Sequence, residues 1–284
     1  MRKTEFFEIA GHIIKITSEF FFDNYQPFWV KRTPKEEILL SMDVNFAPYK
    51  EKFSVEMLQN EEGQKIVCGH TLDGKHVFEF WLSGTKTGVL ICENKYTVGK
   101  LYIERAEFAK FSFDNAAMIM FALASADKST LLFHSSTVVF AGLGYMFLGR
   151  SGTGKSTHSR LWLENIKGTT LLNDDNPVVR IFPNGVKVFG SPWSGKTECY
   201  KNEVVPLGGI VLLSQAKQNR ISKLNGIIAY ASLIPSISGK RWDKKIADSL
   251  HISENQIVEK IKMWHLECLP DSEAAFLCNK TITC

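Results

Sequence analysis

The 284-residue sequence has no long apolar run, no closely spaced cysteine pair and no basic tract. Each absence excludes a class of protein. Its longest largely apolar stretch, Ala116 to Ala126, covers 11 residues. That is too short for a helix to cross a bilayer and suits a buried helix, so no membrane partner is expected. The six cysteines (68, 92, 199, 268, 278 and 284) are scattered, with no C-x-x-C spacing. Neither a zinc site nor a disulfide framework follows, and reduced thiols in a cytoplasmic protein are expected. The formal charge is only +4 and no arginine-rich arm is present, so nucleic acid is not an expected partner. Glu5 and Glu8 break any signal-peptide core in the basic start. Internal repeats and low-complexity segments are also missing.

What is present falls into two textures. The first ~110 residues read mainly as strands. Residues 75–82, 87–92 and 100–104 are rich in aromatic and branched side chains, with Asp73-Gly74, Gly84, Gly88 and Gly99 marking turns. Phe20-Phe21-Phe22 and Phe28-Trp29 form an aromatic cluster. Its ordinary reading is core packing, and its functional one a binding surface. From about residue 115 strands and helices alternate. Helices are expected over 115–128, 157–164, 224–235, 243–260 and 271–278, the first with Asp114 or Asn115 as N-cap. A capping box fits Ser253-x-x-Gln256. Strands are expected over 137–140, 145–148, 169–172, 178–182, 186–189, 209–213 and 263–269, with Asn184-Gly185 as a hairpin signal. The expected organisation is a β-rich domain over 1–112 and an α/β domain over 113–284, α+β overall.

One pattern carries chemistry. Residues 149–156, Gly-Arg-Ser-Gly-Thr-Gly-Lys-Ser, fit G-x-x-x-x-G-K-[ST], the phosphate-binding P-loop. Its glycines let successive backbone N–H groups face phosphate oxygens. Lys155 adds charge at the β- and γ-phosphates, Ser156 offers a hydroxyl to Mg²⁺, and the following helix aims its N-terminus at the anion. Gly149, Ser151, Gly152, Thr153, Gly154, Lys155, Ser156 and Thr157 are therefore the expected nucleotide ligands. The same pattern recurs at 190–197. There Pro192 has no N–H to donate and no amphipathic helix follows, whereas the first copy has an apolar strand before it and a helix after it. The second copy is expected to be a loop with another task. Its Ser194, Gly195 and Lys196 are candidates to face a substrate.

Downstream, Leu171-Leu172-Asn173 runs into Asp174-Asp175. An apolar strand ending in carboxylates shortly after a P-loop helix is where such proteins place the metal-binding acid. Successive side chains on a strand point to opposite faces, so one acid suits Mg²⁺ and the other a proton. The ordinary reading of Asp-Asp-Asn-Pro is a hydrated turn. His134 lies upstream of the P-loop strand; the remaining histidines form no metal-ligand spacing.

The series His134-Ser-Ser-Thr, Gly149 to Ser156 and Leu172-Asn-Asp174-Asp175 resembles the catalytic domain of HPr kinase/phosphorylase, whose fold is related to the nucleotide-binding core of phosphoenolpyruvate carboxykinase. The resemblance covers about residues 115–284. Residues 206–213 and 266–271 look similar to segments of a broader HPr-kinase-like group. The resemblance implies that His134 lies by the reacting phosphate and the paired acids. It also implies that Asp175 is the acid/base and that Asp174 supports the metal or His134. Thr157 departs from the family, which usually carries glutamate there, and the N-terminal region has no evident counterpart. The expected activity is Mg²⁺- and ATP-dependent phosphoryl transfer, or transfer from another nucleoside triphosphate, to a hydroxyl of a protein, peptide or small molecule. The alternatives are a non-catalytic nucleotide-binding module, a carboxykinase-like reaction with Arg150, Arg180 or Arg241 holding a carboxylate, and a reverse phosphorylase activity. A homo-oligomer is left open.

Overall fold

A computed structural model of the chain describes residues 1–31, 34–61, 63–195 and 197–283. The chain is a mixed α/β protein with two large sheets, and it divides into two compact units, Met1–Ser125 and Ala126–Cys284.

The first unit holds β1 (Lys3–Ile9), β2 (His12–Ser18), β3 (Ile38–Phe46), β4 (Ser54–Glu61), β5 (Gln64–His70), β6 (His76–Leu82), β7 (Thr85–Cys92), β8 (Val98–Ile103) and α1 (Ala109–Ala124). Its sheet runs β1-β2-β3-β8-β7-β6-β5-β4. Two of its hairpins turn on two residues, Ala10-Gly11 and Ser83-Gly84, with positive φ at both positions. That is the type I′ geometry whose twist matches the flanking strands. Helix α1 lies against β3, β7 and β8. Phe113, Ala116, Ala117, Met120 and Phe121 are fully buried along it, a stripe at helical spacing. Gly99 of β8 is a close-approach glycine, because a Cβ there would run into the Met120 sulfur.

Two expectations change here. The helix predicted over 115–128 starts at Ala109, because its buried face extends back through Phe113 to Ala109. It also packs on the first sheet, so the division falls at Ser125/Ala126 and not near residue 112.

The second unit holds β9 (Thr130–Leu132), β10 (Ser135–Phe140), β11 (Leu143–Leu148), α2 (Lys155–Asn165), β12 (Thr170–Asp175), β13 (Val178–Phe182), β14 (Gly185–Phe189), β15 (Val204–Gln215), β16 (Arg220–Leu224), α3 (Gly226–Leu233), α4 (Lys244–Lys260), β17 (Met263–Cys268) and α5 (Ser272–Ile282). The strand order is β12-β10-β11-β15-β14-β13-β9, with β17 on β15 and β16 on β17. Strands β11, β15 and β17 are parallel. Val138, Phe147, Val211 and Leu213 of the sheet pack with Trp162 of α2 and Ala275, Cys278 and Ile282 of α5. This layer holds the start of α2 over the end of β11.

The hairpin expected at Asn184-Gly185 forms between β13 and β14, with Phe182 opposite Gly185. The capping box expected at Ser253 and Gln256 is inside α4. That helix is capped by Asp243, whose side chain accepts from the backbone N–H groups of Lys245 and Ile246. No helix of the described residues is long and apolar enough to cross a membrane.

Candidate active site

The loop joining β11 to α2 is built on glycine conformations. Gly149, Gly152 and Gly154 have φ of 154°, 76° and 107°, values that side chains other than glycine rarely adopt. Gly154 is the N-cap of α2, so the helix starts at Lys155, directly after the loop. Thr153 closes the turn, its N–H and hydroxyl donating to Arg150 O at 3.1 and 2.6 Å. The Lys155 ammonium folds back over the loop and donates to Gly149 O at 3.0 Å. From the neighbouring parallel strand, the Gln215 amide at the end of β15 donates to Gly152 O at 3.2 Å.

Two strands away are the acids. Strand β10 lies between β11 and β12 and pairs Ser135 with Asp175 and Ser136 with Asp174. His134, one residue before β10, is held by its N–H donating to Ser236 O at 2.6 Å. Its Nδ1 lies 3.2 Å from Asp175 Oδ1. The other Asp175 oxygen accepts from the Asn176 side-chain amide at 2.7 Å. Both carboxylate oxygens are therefore held, one by an imidazole and one by an amide. Burial pushes the Asp175 carboxyl above its ordinary range; His134 and Lys155 pull it down and Asp174 pushes it up. Lys155 thus acts on Asp175 electrostatically, which ties the P-loop to the acid pair.

Asp175 has a φ of 150°, a strained value for a side-chain-bearing residue that costs on the order of 1–3 kcal/mol. The fully buried Asn173 is part of what enforces it. Its Oδ1 accepts from Asn176 N at 2.8 Å and its amide donates to Trp193 O at 3.0 Å. Ser191, also fully buried, donates from Oγ to Asn176 O at 2.6 Å. Sequence reasoning missed Asn173, Asn176, Ser191 and Gln215. The Asn-Asp-Asp-Asn-Pro run did hold a signal, since asparagine side chains that bond their own backbone build such turns.

Asp174 points elsewhere. It is 3% exposed, and no described side chain hydrogen-bonds to its carboxylate.

The second glycine pattern adopts no strand–loop–helix form. Residues 190–195 and 197–203 lie against the outer edge of β12. Gly195 N donates to Asp174 O at 2.5 Å, Ser194 bridges Asp175, Cys199 Sγ reaches Leu172 O at 3.4 Å and Lys201 Nζ donates to Leu171 O at 2.7 Å. Gly195 is needed for closeness: a Cβ there would sit 3.0 Å from Asp174 O and 3.3 Å from Asp175 Cβ. Lys196 lies outside the described residues. The structure thus brings His134, Asp174, Asp175, Ser194 and Gly195 together. Of the arginines considered for a carboxylate, Arg241 is bound at 2.6 Å to the fully buried Glu254. Arg180 stacks at 5.1 Å over Phe182 and Arg150 is exposed on the loop.

No family model and no curated protein sequence matches the chain. Among solved structures it is similar to the HPr(Ser) kinase/phosphatase from Coxiella burnetii, with 11% identity and a TM-score of 0.32, over 54% of this chain and 93% of that one. Similarity at that level does not transfer residues or activity. The functional reading therefore rests on the residues of this chain.

Proposed function

We propose that the second unit is a Mg²⁺-dependent phosphotransferase that moves the γ-phosphoryl of ATP, or of another nucleoside triphosphate, to a hydroxyl. The observation that carries this reading is the 3.2 Å contact of His134, just before β10, with Asp175 at the end of β12, two strands from the one that enters the P-loop. A nucleotide-binding module without chemistry has no use for a strained, partly desolvated carboxylate held at both oxygens.

In this reading residues 149–157 cradle the triphosphate, with the N-terminus of α2 and Lys155 meeting its negative charge. Ser156 and Asp174 are oxygen donors of the kind Mg²⁺ takes. Asp174 fits that use because it is a buried carboxylate that wants a cation. Among the described residues no three His, Cys, Asp or Glu side chains converge on a metal position, and a bound Mg²⁺ would be held by Ser156 and Asp174 together with its nucleotide. The ion supplies charge neutralisation on the phosphates.

Asp175 takes the proton of the attacking hydroxyl. Its raised affinity for a proton brings it nearer to the working pH of a general base. His134 and Asn176 orient the carboxylate. The 191–195 segment, joined to Asp174 and Asp175 through its backbone, borders the place where the acceptor enters. The acceptor is a protein, a peptide or a small molecule, and the reverse reaction with phosphate uses the same groups.

The test is a pair of variants assayed with γ-labelled ATP against lysate and metabolite pools. Lys155→Ala is expected to lose nucleotide binding or turnover. Asp175→Asn is expected to keep binding and lose at least ~10²-fold in transfer, the lower end for general-base loss. Retained turnover in the first removes the P-loop assignment, and unchanged transfer in the second removes Asp175 from the mechanism.

A further inference from the structure

The aromatic cluster near the N-terminus is only partly core. Tyr25 and Phe28 are fully buried and Phe7 nearly so. Trp29 is different: it is 47% exposed. Beside it a cavity of about 200 Å³ opens, walled by five aromatic rings, those of Phe7, Phe21, Phe22, Tyr25 and Trp29. Phe7 packs on Tyr25 edge-on at 5.4 Å and on Phe21 at 5.8 Å, and with Phe7 and Tyr25 buried behind them, Phe21, Phe22 and Trp29 supply the accessible ring surface.

The remaining lining is Glu5, Asp23 and the neutral Gln26, and no basic side chain lines the cavity among the described residues. Lys110 lies 5.9 Å from the Phe22 ring, but its ammonium is held by Asp114. Trp29 is also fixed in place. Its backbone bridges Phe7, and its indole Nε1 donates to Glu5 Oε2 at 2.8 Å. An indole N–H bound to a carboxylate pushes electron density into the ring, which strengthens its attraction for a cation. Core packing explains Tyr25 and Phe28. It explains neither a half-exposed tryptophan held by a carboxylate nor two carboxylates at an aromatic cavity that no described basic side chain lines.

We propose that this cavity binds a quaternary ammonium group. Aromatic faces attract an organic cation through their quadrupoles, and Glu5 and Asp23 add Coulomb attraction at the mouth. The absence of N–H groups on the ligand is the deciding feature. A primary ammonium is strongly hydrated, and the ring surfaces cannot replace the water it loses, even where Glu5 or Asp23 accepts one of its three N–H groups. A trimethylammonium carries the same charge with no donors to satisfy. The group belongs either to a small molecule or to a trimethylated lysine of a peptide.

The experiment uses the full chain and saturation-transfer NMR titrations with two isosteres, choline and 3,3-dimethylbutan-1-ol, which differ by nitrogen for carbon. Choline is expected to bind at least about tenfold more tightly. Trp29→Leu is expected to abolish choline binding, and Trp29→Phe to retain it in part. Circular dichroism checks that both variants fold. Nα-acetyl-Nε-trimethyllysine amide identifies the source: tighter binding than choline assigns a modified peptide, weaker binding a small molecule, and both support the site. Equal binding of the two isosteres, no saturation transfer to choline, or choline binding unchanged in folded Trp29→Leu each overturns the proposal. None of these outcomes depends on the phosphotransfer reading.

Discussion

His158 illustrates what burial does to one side chain. It sits one turn into α2, 3% exposed, packed edge-on against Phe147 at 4.7 Å. The Trp162 indole donates to its Nε2 at 3.1 Å, which puts the imidazole proton on Nδ1, and Nδ1 has no partner. Burial pulls its pKa down from 6.5 to about 4. The folded-state pKa is thus below the unfolded one. The unfolded chain takes up a proton as pH falls through 6.5 while the folded chain does not. The stability contribution is complete above pH 6.5 and is lost down to about pH 4, an amount on the order of 3 kcal/mol. His158→Phe is expected to flatten that part of the pH–stability curve in denaturant titrations. An unchanged acid slope would show that other groups set it. Asp175 is the second residue where environment decides chemistry. Asn176→Ala is expected to lower phosphoryl transfer by about tenfold with nucleotide affinity unchanged, since it frees one carboxylate oxygen and leaves the P-loop alone.

At the scale of elements, the segment after β14 is the instructive case. Its sequence imitates a P-loop, yet it serves as the cover of an edge strand. Edge strands carry unpaired backbone groups, and a covering loop satisfies them. Here Leu171, Leu172 and Asp174 all give their carbonyl oxygens to it. Gly190 allows this, because a Cβ there would collide with Lys201 O. Gly190→Ala is expected to destabilise the protein by roughly 1–3 kcal/mol, as overpacking does. It should also lower transfer more than nucleotide binding, since the same segment buttresses Asp174 and Asp175. Chemical denaturation and kinetics on one preparation check both. At the start of α4, Asp243→Ala is expected to cost about 1 kcal/mol through the lost cap.

At the scale of the molecule, the chain carries two compact units with separate contents. The glycine loop at 149–156 and the paired acids are in the second. The aromatic cavity is in the first. Lys155→Ala is therefore expected to leave choline affinity within about twofold of the parent value, in the NMR titration already described. A larger change would reveal coupling between the units, and its size would be the coupling free energy.

The strand–loop–helix form around residues 149–156 was legible in the sequence because its constraints are local. Three glycines at fixed spacing, a lysine, a serine, an apolar strand before and a helix after all lie within some twenty residues. Most elements of the second unit were legible for the same reason, since periodicity is a local property. The first unit was less so. Strands such as β4, exposed along its whole length, show no alternation to read. The domain boundary was decided by tertiary contact: α1 is apolar, and sequence does not say which sheet its buried face meets. The partners of Asp175 were decided in the same way. His134 lies 41 positions away along the chain and arrives only because β10 pairs with β12. Ser191 and Gly195 arrive because an edge strand needs covering. Sequence determined which groups the chain owns, and packing determined which of them meet.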